Sequence, residues 1–446
     1  MPKPASTLTQ EKRYLAAFAS FERNGSAQDP AWAHRLRRAA IARFQSLGFP
    51  TARRGNEEWK YTDVGPIARA PFQTPVTPAG VEAGALERFA LGKHGWSRLV
   101  FVDGAYAEEL SSLSTLPPGV RVSNLAEVMA ASPDLVEPHL ARHADYESNA
   151  FTALNTAFLH DGALVHIPDG ITVEEPIHLL FLSTSRQETA SHPRVLILSG
   201  RGSRATIIES YGGPSRGRYF TNAVTEVVVG AGARVEHYNI QQQSEEAFHI
   251  TTTQVTLGRD SAFSSVNIDL GGSVTRNNLN VLMGEEGCSC TLNGLYLVGG
   301  SQHVDNQVIV DHAKPYTTSR ELYKGVLNGR SRSVFHGSIV VRKGARKVNA
   351  NQVDKNLLLS DQAEADTKPA FWIYCDDVKC GHGAACGQID ETALFYLRSR
   401  GIGERAARSL LTRAFVSEVI DSIENEPVRA HVDTLVQAKL QEWLGE

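Results

Sequence analysis

The feature that most constrains this chain is a run of short apolar strands, each closed by a glycine, beginning near residue 163. In order they are Leu164-Val165-His166-Ile167-Pro168-Asp169-Gly170, Val195–Gly200, Glu226–Gly230, Gln254–Gly258 and Asn280–Gly284; the closing glycines step by 30, 30, 28 and 26 residues. A strand of this kind leaves an apolar face that only the next copy can cover, so periodicity and stability arise together, as in a solenoid. No comparably long helix separates the strands, which excludes a doubly wound sheet with crossover helices. The expected fold is mainly β, a parallel β-helix core over residues 161–388, with a β-sandwich as the alternative. The pattern continues less regularly through Gly325–Gly329 and Ser338–Gly344.

Helical regions are expected at both ends. In residues 1–160, Leu15, Phe18 and Phe21 share one helical face that stops at Asn24-Gly25. Asp29-Pro30 reads as an N-cap and first helical residue for a second helix carrying Trp32, Leu36, Ala40, Phe44 and Leu47, stopped by Gly48. Arg35, Arg37, Arg38 and Arg43 lie along that helix; a solvated face is the ordinary reading, and anion binding the sharper one. Asn56–Asp63 sets Trp59 and Tyr61 among charges and reads as a docking turn. Leu99–Gly104 reads as a strand with its turn, followed by a helical section over roughly Leu125–Leu159. In residues 389–446, Asp390 caps a helix with Leu394 and Leu397. A second helix carries Leu410, Ala414, Phe415, Val419 and Ile423, and a third Val428, Val432, Leu435, Leu440, Trp443 and Leu444. Amphipathic helices after a solenoid suit a cap or a partner-docking module.

Composition removes several function classes. A net charge of −4 with 21% charged residues lacks the basic excess that nucleic acid would demand. Five cysteines in 446 residues are too sparse and too odd for a disulfide framework. Met1–Phe21 lacks the apolar core of a signal peptide, and no apolar run approaches the roughly 20 residues of a membrane helix. The expectation is a cytoplasmic protein with reduced thiols.

Gly230-Ala231-Gly232 lacks the third glycine of a dinucleotide fingerprint and runs into a strand instead of a helix, so no pyrophosphate cradle is expected there. No phosphate-binding G-x-x-x-x-G-K-[ST] loop occurs. Cys288 and Cys290, two apart in a rung, read as small interior fillers. His303, Asp305, Asp311 and His312 crowd one segment, and an acidic pair there would be the site of a β-helix carbohydrate enzyme. The densest ligand chemistry lies in Tyr374–Cys386, where Cys375, Cys380, His382 and Cys386 follow a C-x4-C-x-H-x3-C spacing. Thiolate and imidazole suit iron, zinc or copper, but the paired C-x2-C of zinc ribbons is missing. At strand periodicity Cys380 and His382 share a face, a two-ligand half-site for another chain to complete.

Asn56–Thr62, Tyr316–Leu327, Asn356–Asp361, Asp366–Pro369 and Asp376–Ala384 together make this sequence resemble the SufD family of Fe-S cluster assembly proteins, over nearly its whole length. The resemblance implies a right-handed parallel β-helix with helical ends, acting as a non-enzymatic scaffold beside its paralogue SufB and the ABC-type ATPase SufC. It implies that SufC docks on the C-terminal helices, with Phe415, Val419 and Ile423 as candidate docking residues, and that the last rungs meet SufB. Cys380 and His382 match the family positions at the SufB–SufD interface, where a transient Fe-S cluster shared with SufB is expected and where these two residues would bind its iron. Cys375 and Cys386 fall outside the family pattern and add thiols. A flavin on the complex, a homodimer of the isolated chain and an inert, purely structural role remain alternatives.

Overall fold

The five glycine-closed strands stack in one parallel sheet. In the computed structural model, which describes residues 5–24, 29–53, 56–75, 80–81, 83–89, 91, 95–184 and 188–445, they become Gly162–Ile167, Arg194–Ser199, Phe220–Val229, Phe248–Leu257 and Val274–Met283. Their ends coincide in register: Ile167 lies opposite Ser199, Ser199 opposite Val229, Val229 opposite Leu257 and Leu257 opposite Met283. The corners stack as well, with Gly200 N–H donating to Ile167 O at 2.8 Å and Gly230 N–H to Ser199 O at 2.7 Å. A Cβ on Gly200 would sit 2.6 Å from the Asp169 nitrogen. At Gly200, Gly230 and Gly258 the stacked corners leave no room for a side chain, whereas Gly170 is set by its positive φ of 73°.

A second parallel sheet, invisible to the apolar-run argument, takes the other strand of each turn: Ile177–Leu182, Arg204–Gly212, Arg234–Gln242, Ala262–Asp269, Ser289–Val298, Thr318–Leu327, Val348–Leu358 and Val378–Gly387. The result is a parallel β-solenoid of eight turns, not a sandwich. Gly325–Gly329 closes a strand of this second sheet, whereas Ser338–Gly344 closes one of the first, which explains the broken period.

The interior is apolar toward the first sheet, through Val227, Val255, Val281 and Val310. Toward the second sheet it is partly polar. Glu209, Asp269, Glu321 and Asp354 are buried there, and burial pushes Asp269 up to about 7, Glu321 up to about 8 and Asp354 up to about 6. Gln352 donates to Glu321 at 2.6 Å and Asn356 to Asp354 at 2.8 Å, so these two carboxyls are held by neutral amides.

Both sheets are covered outside. Helices Ala5–Asn24 and Ala31–Leu47 lay Phe18, Phe21, Phe44 and their neighbours against Phe220, Phe248 and Ile250 of the first sheet. Strands Ser97–Val102 and Arg121–Asn124 join the two sheets at their starting edges. Three expectations for this region are corrected. Pro30, not Asp29, occupies the N-cap of the second helix; Asp29 instead accepts from Arg37 at 2.5 Å. Arg37 is not on a solvated face: it is fully buried and also donates to Leu159 O at 2.5 Å. The section from Leu125 to Leu159 forms three short helices, Leu125–Ala131, Pro133–Val136 and Ala150–Ala157, with turns between. Gly25 lies outside the described residues.

A buried carboxylate locks the turns. Glu226 accepts from the N–H groups of Ala141, His143 and Ala144 at 2.8–2.9 Å and from Arg194 at 2.6 Å. Burial alone would raise its pKa, but Arg194 and these backbone donors outweigh burial and hold it below the usual range.

Helices Glu391–Ser399, Glu404–Ile420 and Glu426–Leu444 end the chain. Asp390 caps the first, accepting from Thr392 N–H at 2.8 Å, and Asn425 caps the third. Val416, Val419, Ile420, Ile423, Val428 and Val432 pack on Tyr238, Ile240, Val266 and Leu295, the outer face of the second sheet. No helix among the described residues is long and apolar enough to cross a membrane.

Candidate functional site

Among the described residues the last strand, Val378–Gly387, hydrogen-bonds on one side only, to Val348–Leu358, and its other edge is free. Cys380 lies opposite Ala350, His382 opposite Gln352, Ala384 opposite Asp354 and Cys386 opposite Asn356. Those partners face the solenoid interior, so the even-numbered residues of the last strand share the inward face of a turn with nothing stacked on it. Cys380 is half-buried in a small apolar cluster with Ile339, Val341, Ala350, Phe371 and Cys375. The His382 ring is exposed and packs on Phe371, with ring centroids 4.3 Å apart.

The four ligand-type residues therefore separate into unequal groups. Cys380 and His382 stand two residues apart, about 7 Å along the strand. Cys375 packs behind Cys380, whereas Cys386 lies about 20 Å along the strand from it. Among the described residues no group of three or more His, Cys, Asp or Glu is placed to hold a metal ion. Burial raises the Cys380 thiol above its ordinary pKa, with a hydrogen bond from the Ala350 backbone working against it. Burial, and then the charge of Asp354, raises Cys386. Both are thiols rather than thiolates at neutral pH.

The edge itself suits a partner strand. From Cys380 to Gly387 it carries no Lys, Glu or Pro, the usual devices against edge pairing. Trp372 and Tyr374, in the segment that leads into it, are 55% and 63% exposed.

The docking residues expected on the helices are misplaced. Val419 and Ile423 are fully buried against the solenoid. Phe415 is partly so, its carbonyl accepting from Lys324 Nζ at 2.7 Å. These residues hold the helices to the core and are not free for a partner. The exposed apolar groups are instead Phe395, Tyr396 and Leu410. Phe395 and Tyr396 sit between Leu394 and Leu397, off the stripe that packs inward; two adjacent aromatics off-stripe were the available clue.

The acidic pair is also corrected. Asp305 is buried and accepts from Arg276 and Thr62 at 2.5 Å and from Gln307 at 2.6 Å. Asp311 is held by Arg342 at 2.6 Å. Six residues on one strand put them about 20 Å apart, far beyond the roughly 5–9.5 Å that glycosidic cleavage uses. Asp305 belongs to the docking turn: Arg276, fully buried, stacks on Trp59 at 3.7 Å and donates to Glu58 O at 2.9 Å, while Arg332 lies over Tyr61. Cys288 and Cys290 are buried fillers, Cys288 donating to Glu285 O at 2.9 Å. Gly230–Gly232 leads into the strand Arg234–Gln242, so that turn offers a flavin pyrophosphate no helix N-terminus.

Comparisons with known proteins agree with this layout. Residues 181–415 match the family described as SUF system FeS cluster assembly, SufBD core domain, and residues 8–179 match the SufBD protein N-terminal region. An iron-sulfur cluster assembly SufBD family protein of Synechocystis is 33% identical, over 87% of this chain and 86% of its own length. The iron-sulfur cluster assembly protein SufD of Escherichia coli is 31% identical over 92% and 93%, and that of Bacillus subtilis 25% identical over 97% and 99%.

Proposed function

Because this chain belongs to the SufB/SufD family of iron-sulfur cluster assembly proteins, we propose that it is a non-catalytic, cytoplasmic scaffold subunit whose last solenoid turn joins the paralogue SufB. The nascent cluster is its cargo, assembled across that joint, and SufC is the ATPase that drives the rearrangement. One observation carries this reading: Cys380 and His382 lie two residues apart on the uncovered inward face of a free-edged strand, and among the described residues no third ligand is placed with them to hold a metal ion. Thiolate and imidazole are both Fe-S ligands, so two ligands here and the remainder from a partner make a shared site. Phe395, Tyr396 and Leu410 are the groups left facing outward on the helices and are proposed to meet the ATPase.

The test uses complexes carrying Cys380→Ala or His382→Ala, followed for cluster formation; full activity in both removes this site from the mechanism. Gly383→Lys tests the joint separately. Nothing lies within 4 Å of a Cβ at Gly383, so the fold should accept lysine while strand pairing should not. Unchanged co-purification of SufB with Gly383→Lys would place the joint elsewhere, and a size shift of the isolated chain alone would report a homodimer through the same edge.

The raised thiols favour a second reading, a structural partner whose cysteines stay inert. Alkylation of Cys380 before and after ATP addition to the complex separates the two. A thiol equally slow in both states supports inertness, and one that quickens with ATP supports the scaffold.

A further inference from the structure

Of the four arginines on the second helix, three are used internally. Arg37 binds Asp29 and Leu159, Arg38 pairs with Glu22 at 2.6 Å, and Arg43 reaches Glu147 at 3.4 Å. Arg35 has no ion pair among the described residues, and neither has Arg142, which comes from the turn before the helix Ala150–Ala157. The two guanidiniums line one cavity of about 220 Å³ together with Trp32, Leu36, Leu140, Tyr146 and Glu137. Leu36 and Trp32 form an apolar wall continuous with the buried Leu140. Trp32 lines the cavity with its ring.

We propose that this cavity binds a small aromatic oxyanion, a ring bearing one carboxylate or phosphate. The volume fits: a cavity of about 150 Å³ takes up benzene, which leaves room here for the anionic group. The guanidiniums supply fork-shaped donors for a planar or tetrahedral oxyanion, and Trp32 and the leucines supply the wall for the ring. Glu137 lines the same cavity and offsets one of the two guanidinium charges, which limits the ligand to one anionic group. The site stands on the outer side of the N-terminal region, away from Cys380 and His382, and is independent of the scaffold role.

The test is 19F NMR on the full chain labelled with 5-fluorotryptophan, the Trp32 resonance being identified by its loss in Trp32→Phe. Benzoate and phenyl phosphate are titrated, with inorganic phosphate and benzyl alcohol as partial ligands. A saturable shift of the Trp32 resonance below about 10 mM is expected for at least one of benzoate and phenyl phosphate, and the tighter of the two identifies the oxyanion as carboxylate or phosphate. Arg35→Gln and Arg142→Gln should each weaken it about tenfold or more, the loss of one charge-assisted fork. Both side chains are exposed, so the variants should fold, and Arg38→Gln on the same helix should leave binding unchanged. The absence of a saturable shift, equal binding of benzyl alcohol, or arginine variants that bind as well as the wild type would each overturn the proposal.

Discussion

Replacing Asp305 by Asn should unsettle the fold. Arg276 is fully buried and its nearest charged partner is Asp305, at 2.5 Å; Glu58 contributes a backbone oxygen at 2.9 Å and a longer carboxylate contact at 3.4 Å. Breaking a buried pair from one side leaves an uncompensated charge and costs about 3–5 kcal/mol. Asparagine keeps an acceptor for Thr62 and Gln307, which places Asp305→Asn toward the lower end. Arg276→Met loses in addition the stack on Trp59, worth up to about 2 kcal/mol when desolvated, and should cost more. Asp305→Leu combined with Arg276→Met removes both charges at once and should cost less than the sum of the single changes. The assay is guanidinium unfolding followed by circular dichroism and by Trp fluorescence. With a slope of about 5 kcal/mol/M for a chain of this size, a loss of 4 kcal/mol moves the midpoint by about 0.8 M. Single variants within about 1 kcal/mol of wild type, or a strictly additive double variant, would refute the reasoning.

Glu321 carries its proton up to about 8 in the folded chain against roughly 4.3 unfolded. The folded state thus binds the extra proton between those values, and its contribution to stability is fully present below about pH 4.3 and fades as pH rises toward 8. Glu321→Gln should match wild type at pH 5 and exceed it at pH 8.5; thermal melts that run parallel at both would contradict this. Cys380 and Cys386 in the isolated chain should be alkylated by iodoacetamide more slowly than a free thiol at pH 7.5, with rates still climbing above pH 8.5. A plateau already reached at neutral pH would show thiolates instead. Phe395→Asp and Leu410→Asp should keep the wild-type melting temperature and lose capture of SufC, whereas Val419→Asp, which buries an unpaired charge, should fail to fold. Capture by Phe395→Asp at wild-type strength would move the docking face elsewhere.

The first sheet was legible because Val227, Val255 and Val281 make its inner face apolar and its corners demand glycine. The second sheet was not, because its inner positions mix Glu209, Asn267, Glu321, Gln352 and Asp354 with apolar residues such as Ile207 and Leu292, while further apolar residues, such as Ile240 and Leu295, point outward to the helices. Polar residues among the inward positions and apolar ones on both faces erase the alternation on which strand reading rests. Cys380 and His382 were legible as a pair from strand periodicity, and the uncovered edge beside them was not, since pairing is a property of neighbours in space. Arg37 and the outward-facing Phe395 and Tyr396 escaped for the same reason. Which side of a helix meets the core is decided by what packs against it.

Each solenoid turn is stabilised by the turns before and after it, and the turn bearing Val378–Gly387 has a neighbour on one side only. In a nearly one-dimensional fold the terminal repeat has the smallest opening free energy. Cys380 and His382 therefore ride on the part of the molecule most prone to fray. Amide exchange should be fastest there among the strands and should slow when a partner supplies the missing neighbour. Under the proposed shared site, capping the stack and bringing the remaining ligands to Cys380 and His382 would be the same event, so ligand geometry would become fixed only when both halves are present.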